Sequence, residues 1–150
     1  MYYICKTLSP NTIVSINDGW ENPEESDIVT AHDYCKTGDT IIKYFKDTKP
    51  EYIPSPKRYV MCLNNEYQGQ PVLFSEFGGI MLNKDSHGDN WGYGDNAKDN
   101  EEIYQRIESL IDGIRECNFQ GFCYTQLTDV QQEVNGLLDE DHNPKLDLES

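Results

Sequence analysis

The run Pro71-Val72-Leu73-Phe74-Ser75-Glu76-Phe77-Gly78-Gly79 decides how the rest of the chain is interpreted. Its apolar part has the length of a strand and no alternating polar face, a pattern typical of a strand buried on both sides of a parallel sheet. Glu76 ends that strand, where α/β proteins place their functional side chains. The two glycines permit backbone angles and close approaches that a Cβ atom forbids. From these residues alone, Glu76 is either a functional carboxylate or a solvated residue in a strand-to-helix turn.

The composition limits the classes of partner. The 150 residues have the size of one domain, and 12 Lys and Arg against 27 Asp and Glu give a net charge of −15. Such a charge repels phosphate backbones and anionic lipid, so we expect no nucleic acid and no membrane partner. No run approaches the roughly 18 apolar residues of a membrane span. Five cysteines without a CxxC pair favour a reduced, cytoplasmic setting.

Segments with the apolar spacing of a helix alternate along the chain with segments that have the composition of a strand. Apolar residues recur at helical spacing from Ile103 to Ile114, which predicts a helix that begins at Asp99 and ends at Asn118. Shorter helices are predicted at 1–8, at 39–47 and from 147. Strands are predicted at 12–16, 27–31, 71–76 and 119–126. Residues 57–68 fit either a short helix or extended chain. This alternation predicts a single α/β domain, residues 1–150, with four parallel strands and right-handed crossovers.

One long connection, residues 80–98, is rich in Asn, Asp and Gly. Connections of this length inside compact domains are often functional. Its acidic residues do not follow the spacing of a calcium-binding EF-hand loop, so we interpret it as a solvated loop and predict no metal site.

Polar and aromatic side chains gather after the predicted strands. The carboxyl ends of parallel strands share one edge of the sheet, so these groups are expected to converge. Rings stack on apolar sugar faces while amides and carboxylates bind hydroxyls, which predicts a site for an uncharged carbohydrate without a cofactor. Plainer roles exist as well: a tyrosine can pack in the core, a histidine can bind a backbone carbonyl, and tryptophans can anchor loops. The candidates are Asn17, Asp18, Trp20, His32, Tyr34, Glu76, Trp91, Tyr124 and Gln126.

Six motifs carry a resemblance that extends over nearly the whole chain. They are Asn17-Asp-Gly-Trp-Glu21, Ser26-Asp-Ile28, His32-Asp-Tyr34, Pro71–Gly79, Trp91-Gly-Tyr-Gly94 and Gly121-Phe-Cys-Tyr-Thr-Gln-Leu-Thr-Asp-Val130. In order and spacing they resemble the second half of the catalytic barrel of family 2 glycoside hydrolases, the family of β-galactosidases, β-glucuronidases and β-mannosidases. The resemblance implies a partial (β/α)8 TIM barrel, with strands five to eight and flanking helices, truncated at both ends.

The resemblance also implies roles for individual residues. Glu76 matches the catalytic nucleophile, and Tyr34 matches a tyrosine that hydrogen-bonds to it. The general acid/base of the family, a Glu after an Asn, has no match, because Asn65-Glu66 and Asn100-Glu101 lie in the wrong places. Tyr124 stands where many members carry Trp.

The implied function is that of a fragment of a retaining β-glycosidase, which cleaves O-glycosidic bonds through a covalent intermediate on Glu76 and is inactive alone. The alternative is a catalytically inactive protein, or a carbohydrate-binding or interaction module that depends on a partner. Open strand edges and an apolar concave face predict self-association or pairing with the missing barrel half.

Overall fold

The computed structural model describes residues 1–49, 54–55 and 58–146. A small parallel sheet lies at its centre, with two helices packed together beside it. In chain order the elements are α1 (Tyr2–Leu8), β1 (Val29–His32), α2 (Gly38–Phe45), β2 (Pro54–Ser55), β3 (Arg58–Tyr59), β4 (Val72–Gly78), a 3-10 helix (Asn83–Asp85), α3 (Asn100–Arg115) and β5 (Gly121–Thr125).

The central strand is β4, which is paired in parallel with β1 on one side and with β5 on the other. The Val72, Phe74 and Phe77 side chains of this central strand are buried in the hydrophobic core. The register places Val29 beside Val72, and a shift after Ala31 brings His32 beside Glu76. Such irregularities commonly redirect side chains next to functional sites. The prediction of a parallel strand here is confirmed, but the strand continues past Glu76 to Gly78, and Leu73 and Ser75 on it are only partly buried.

The two longer helices form where periodicity predicts them. Asp99 caps α3, since its Oδ1 accepts a hydrogen bond from the backbone N–H of Glu102 at 2.9 Å. The apolar stripe of α3 is buried at Ile103, Leu110 and Ile114, and α3 packs against α2. These contacts confirm an α/β architecture in which helices cover the sheet.

The sheet has three strands, so the prediction of four is wrong. The predicted strand at 12–16 is irregular chain, and side chains take the place of a strand ladder there. The Val14 N–H donates to Asp27 Oδ2 at 2.7 Å, and the Ile16 N–H donates to Ser26 Oγ at 3.1 Å. Local Asp and Ser acceptors of this kind compete with regular pairing. Over the described ranges no closed barrel is present.

The remaining predictions have mixed outcomes. In the ambiguous stretch 57–68, β3 pairs antiparallel with β2, and Met61 forms a bridge with Asn22. Apart from its 3-10 helix, the connection 80–98 is irregular, yet Met81, Leu82 and Ala97 within it are buried. The helix predicted from residue 147 lies outside the described residues.

Several surfaces carry apolar side chains. Helix α1 has no buried residue, and its Ile4 and Leu8 are exposed, as are Phe122 and Leu127 at the β5 end of the sheet. None of the helices in the described part of the chain is long and apolar enough to span a bilayer. All five cysteines are free.

Candidate functional site

A carboxylate with two close polar neighbours lies at the carboxyl edge of the sheet. The Tyr34 hydroxyl, just beyond β1, donates a hydrogen bond of 2.5 Å to Glu76 Oε2. Nδ1 of His32, the last residue of β1, lies 3.2 Å from the same oxygen. Parallel pairing of β1 with β4 brings these residues together although more than 40 positions separate them in the chain. The fold thus brings Tyr34, His32 and Glu76 together at this edge.

A second carboxylate lies on the far side of the histidine ring. Asp18 Oδ2 is 3.2 Å from His32 Nε2, and Asp18 Oδ1 accepts a 2.6 Å hydrogen bond from the Ser75 hydroxyl. Partial burial raises the pKa of Asp18, but the Ser75 hydrogen bond and the contacts with His32 outweigh it, so the pKa lies below its ordinary value. Asp18 is therefore ionised at neutral pH.

Aromatic rings surround this polar cluster. Tyr93 stacks on Tyr34 with ring centroids 3.6 Å apart and planes within 5°, and the Trp91 ring meets Tyr93 edge to face at 5.4 Å. Trp20 meets His32 edge to face at 5.2 Å. The stack requires a glycine beneath it: Gly79 has φ +60°, and a Cβ there would lie 2.5 Å from Tyr93 Cδ2.

Both tyrosines of the predicted site remain protonated at neutral pH. Burial, followed by the hydrogen bond to Glu76, raises the pKa of Tyr34 above its ordinary value. Burial raises the pKa of Tyr124 to about 12. Tyr34 can therefore serve as a hydrogen-bond donor to the Glu76 carboxylate, whereas the Tyr124 ring packs edge-on against Phe77 at 5.4 Å.

The other sequence candidates lie at different distances from this cluster. Trp20 contacts His32 directly, and Trp91 reaches the cluster through Tyr93. The amide of Asn17 donates to the backbone oxygen of Glu21 at 3.4 Å, and the amide of Gln126 donates to that of Glu133 at 3.3 Å. These two amides contact their own loops. Their predicted role in sugar binding stays a prediction.

Two contributors were not among the sequence candidates, Ser75 and Tyr93. Ser75 precedes Glu76 in the central run, and Tyr93 lies inside the motif around Trp91, so both stood next to singled-out residues. Their roles depend on contacts with Asp18 and Tyr34, which only the folded chain creates.

The donor set allows two kinds of chemistry. One ligand atom each from Asp18, His32 and Glu76 lie within 4.8 Å of one another, so these groups could hold a divalent cation. Without a cation, Glu76 could instead act as a nucleophile, with Asp18 as a second carboxylate close to it. Asp18 is a poor general acid, because its lowered pKa leaves it without a proton to donate at neutral pH.

Comparisons with known proteins add no evidence about function, so the geometry of this site is the main evidence. No protein-family model matches the chain, and a search of curated proteins finds no match.

Proposed function

We propose that the chain is part of the catalytic domain of a retaining β-glycosidase in which Glu76 is the nucleophile. The observation that carries this proposal is the 2.5 Å hydrogen bond from Tyr34 to Glu76 at the carboxyl edge of a parallel sheet. A nucleophilic carboxylate must be ionised and oriented toward the anomeric carbon. The Tyr34 hydroxyl orients it through a hydrogen bond, and Nδ1 of His32 lies against the same oxygen.

The order of the strands supports a barrel segment. The strands β1, β4 and β5 are neighbours in the order in which they occur in the chain. Successive strands of a (β/α)8 barrel are arranged in this way, whereas doubly wound sheets reverse direction at a switch point. We therefore assign β1, β4 and β5 to the sixth, seventh and eighth strands of a barrel, with residues 12–16 beside the first of them.

The chemistry of glycoside cleavage determines which substrates this chain could cleave on its own. A retaining glycosidase uses two carboxyl groups roughly 5–5.5 Å apart, one to attack the anomeric carbon and one to protonate the leaving oxygen. Asp18 is close enough to Glu76, but its lowered pKa leaves it unprotonated. The proton donor is therefore expected from residues outside this chain. Alone, the chain should react only with glycosides whose leaving group departs without a proton.

The surroundings of Glu76 favour a sugar. Trp20 packs against His32 and Tyr93 stacks on Tyr34, the two residues next to the Glu76 carboxylate, and the exposed Trp91 ring meets Tyr93. Rings of this kind stack on the apolar faces of pyranoses. The net charge of −15 disfavours phosphorylated or other anionic substrates. The proposed substrates are uncharged β-glycosides, and a cytoplasmic location belongs to the same proposal.

Covalent labelling tests the proposal. The chain is incubated with 2,4-dinitrophenyl 2-deoxy-2-fluoro-β-glycosides of glucose, galactose and mannose, whose leaving group needs no protonation. We expect peptide mass spectrometry to place the adduct on Glu76, and Glu76→Gln to abolish it. The matched control is Glu66→Gln, an exposed position in the unmatched Asn-Glu pair, which should still be labelled. An adduct elsewhere, or none even after the other barrel half is added, would contradict the proposal.

A second candidate is a non-catalytic module that works only with a partner. The exposed apolar side chains of Phe122, Leu127 and Val130 around β5, and those of α1, favour it. Such surfaces mark interaction sites. Both candidates predict self-association or pairing, but only the glycosidase predicts an adduct on Glu76. Peptide mass spectrometry of the chain after incubation with the labelling reagent therefore separates the two.

A further inference from the structure

We propose that Lys145 and Asp129 are positioning residues for the candidate site: their ion pair fixes the turn at residues 130–133, and this turn holds Trp91 in place as a platform for the sugar. Both residues act through Trp91. The inference deepens the proposed function, and it rests on that function only where sugar binding is concerned.

The first step is how the backbone holds Trp91. The Trp91 N–H donates a hydrogen bond to the Gln132 carbonyl at 2.8 Å, and the Val134 N–H donates to the Trp91 carbonyl at 3.0 Å. These two bonds form a parallel bridge between Trp91 and Glu133. The position of Trp91 therefore depends on where the turn at residues 130–133 lies.

The second step is what fixes this turn. The Lys145 ammonium donates to both carboxylate oxygens of Asp129, at 2.9 and 2.8 Å, and to the Val134 carbonyl at 2.9 Å. Asp129 directly precedes the turn at residues 130–133 and Val134 directly follows it, so one ammonium group joins the two ends. Asp129 Oδ1 also accepts a 2.7 Å hydrogen bond from the Gly136 N–H.

The third step is the environment of the ammonium group. The side chains of Lys145 and Asp129 are only 10% and 9% exposed. Asp85 Oδ2 lies 3.3 Å from the same ammonium, and Asp85 belongs to the connection 80–98 that also carries Trp91. Lys145 therefore contacts both segments that meet at Trp91. Removing it leaves a buried carboxylate without its cation, which is far more costly than breaking a surface pair, so we expect the turn to rearrange.

The fourth step connects Trp91 to the candidate nucleophile. The exposed Trp91 ring meets Tyr93 edge to face, and Tyr93 stacks on Tyr34. Tyr34 in turn donates its hydrogen bond to Glu76. A ring that only stacks on the sugar contributes equally to the ground state and the transition state. A displaced Trp91 should therefore weaken binding and leave the rate of bond formation unchanged.

The ¹⁹F spectrum of the full chain labelled with 5-fluorotryptophan tests the positioning role. The chain has two tryptophans, and Trp91→Phe assigns their signals. We expect Lys145→Met and Asp129→Asn each to shift or broaden the Trp91 signal and to leave the Trp20 signal unchanged. The matched control, Lys46→Met, removes the same charge from an exposed ion pair and should change neither signal.

The two variants guard against simple unfolding. An unchanged Trp91 signal in the folded variants would overturn the inference. If Lys145→Met loses the native shifts of both tryptophans, Asp129→Asn decides, because it keeps the bond from the lysine to the Val134 carbonyl. Unfolding of both variants would also overturn the inference, since the ion pair would then maintain the whole fold and not the position of one ring.

The inhibition constant KI of covalent labelling is the second readout. Trp91→Ala and Lys145→Met should each raise KI roughly twofold to tenfold, the equivalent of one aromatic stack, and leave the maximal labelling rate unchanged. The double variant should bind no more weakly than Trp91→Ala, because both changes remove the same contact; additive losses would contradict the inference.

The two readouts separate this inference from the proposed function. If no variant is labelled while the Trp91 signal responds to Lys145→Met, the positioning role stands and the glycosidase proposal fails. If Glu76 is labelled while the Trp91 signal does not respond, the glycosidase proposal stands and the positioning role is overturned.

Discussion

Replacement of Gly78 by Ala gives the sharpest test of how the strand that carries Glu76 is built. Gly78 ends β4 with φ +94°, and a Cβ there would lie 2.2 Å from Cε2 and 2.7 Å from Cζ of Tyr124. The Tyr124 ring has little freedom to move, because it packs against Phe77 and its backbone is paired in register with that residue. Gly78 is therefore required both for its backbone angle and for the space it leaves.

The expected loss has two parts. A side chain in the left-handed region costs about 1–2 kcal/mol. Forcing an extra carbon into a packed site costs about 1–3 kcal/mol. Together, Gly78→Ala should lower the free energy of unfolding by about 2–5 kcal/mol, a large part of the roughly 5–15 kcal/mol of a typical domain.

Urea unfolding followed by circular dichroism measures this loss, and the chain offers a matched control. Gly69 has φ +85°, but no heavy atom lies within 4 Å of the place that a Cβ would take there, so Gly69→Ala should cost only the backbone part, about 1–2 kcal/mol. Tyr124→Leu should then reduce the cost of Gly78→Ala toward that of the control. Equal losses in the two alanine variants, or no relief from Tyr124→Leu, would refute the reasoning.

Three further changes test other contacts. Lys145→Met should destabilise the chain by about 3 kcal/mol in thermal or urea unfolding, because it removes the partner of the Asp129 side chain, which is 9% exposed and 2.8 Å from the lysine. Burial raises the pKa of Asp33, so the folded state is favoured most at acid pH, where the carboxyl is protonated, and this stabilisation is lost as the pH rises. Replacing the ionised carboxylate with an amide in Asp33→Asn should therefore stabilise the chain by about 1 kcal/mol at pH 7 and have no effect near pH 3. Tyr34→Phe should slow the labelling of Glu76 by about 10–100-fold, the rate equivalent of a hydrogen bond to a charged group.

Each of these changes has its own control. Lys46→Met breaks an exposed pair with Glu116 and should alter stability little, so a loss as large as that of Lys145→Met would contradict the argument from burial. A stabilising effect of Asp33→Asn that is the same at both pH values would mean that charge is not its cause. Unchanged labelling in Tyr34→Phe would remove the main support for the nucleophile assignment.

Most of the regular structure could be predicted from local patterns. The helix Asn100–Arg115 combines a capping Asp99 with a long apolar stripe, and Val72–Gly78 has an apolar run followed by glycines, so local preference and burial agree there. Residues 12–16 have β-branched side chains typical of a strand, but Ser26 and Asp27 bind their backbone N–H groups instead. Whether a segment forms a strand depends on the residues that pack against it in the fold, and these cannot be identified from the sequence of the segment itself.

The contacts of the candidate site also differ in whether they could be predicted from the sequence. The convergence of His32, Tyr34 and Glu76 could be predicted because each lies at or near the carboxyl end of a strand of one parallel sheet. Asp18 was expected near them, but its particular contact with the His32 ring, and the stacking of Tyr93 on Tyr34, could not be predicted, because loops bring these residues into place. A loop side chain has no periodicity from which its direction can be inferred.

The amino-acid sequence by itself determined the central strand, the carboxylate near its carboxyl end and the glycines after that carboxylate, because apolar runs, charge and missing Cβ atoms act locally. Only the tertiary structure decided that the sheet has three strands and that His32 lies between Asp18 and Glu76. The physical reason is that pairing and charge contacts join residues far apart in the chain. Their energies depend on distances of about 3 Å that exist only after the chain has folded.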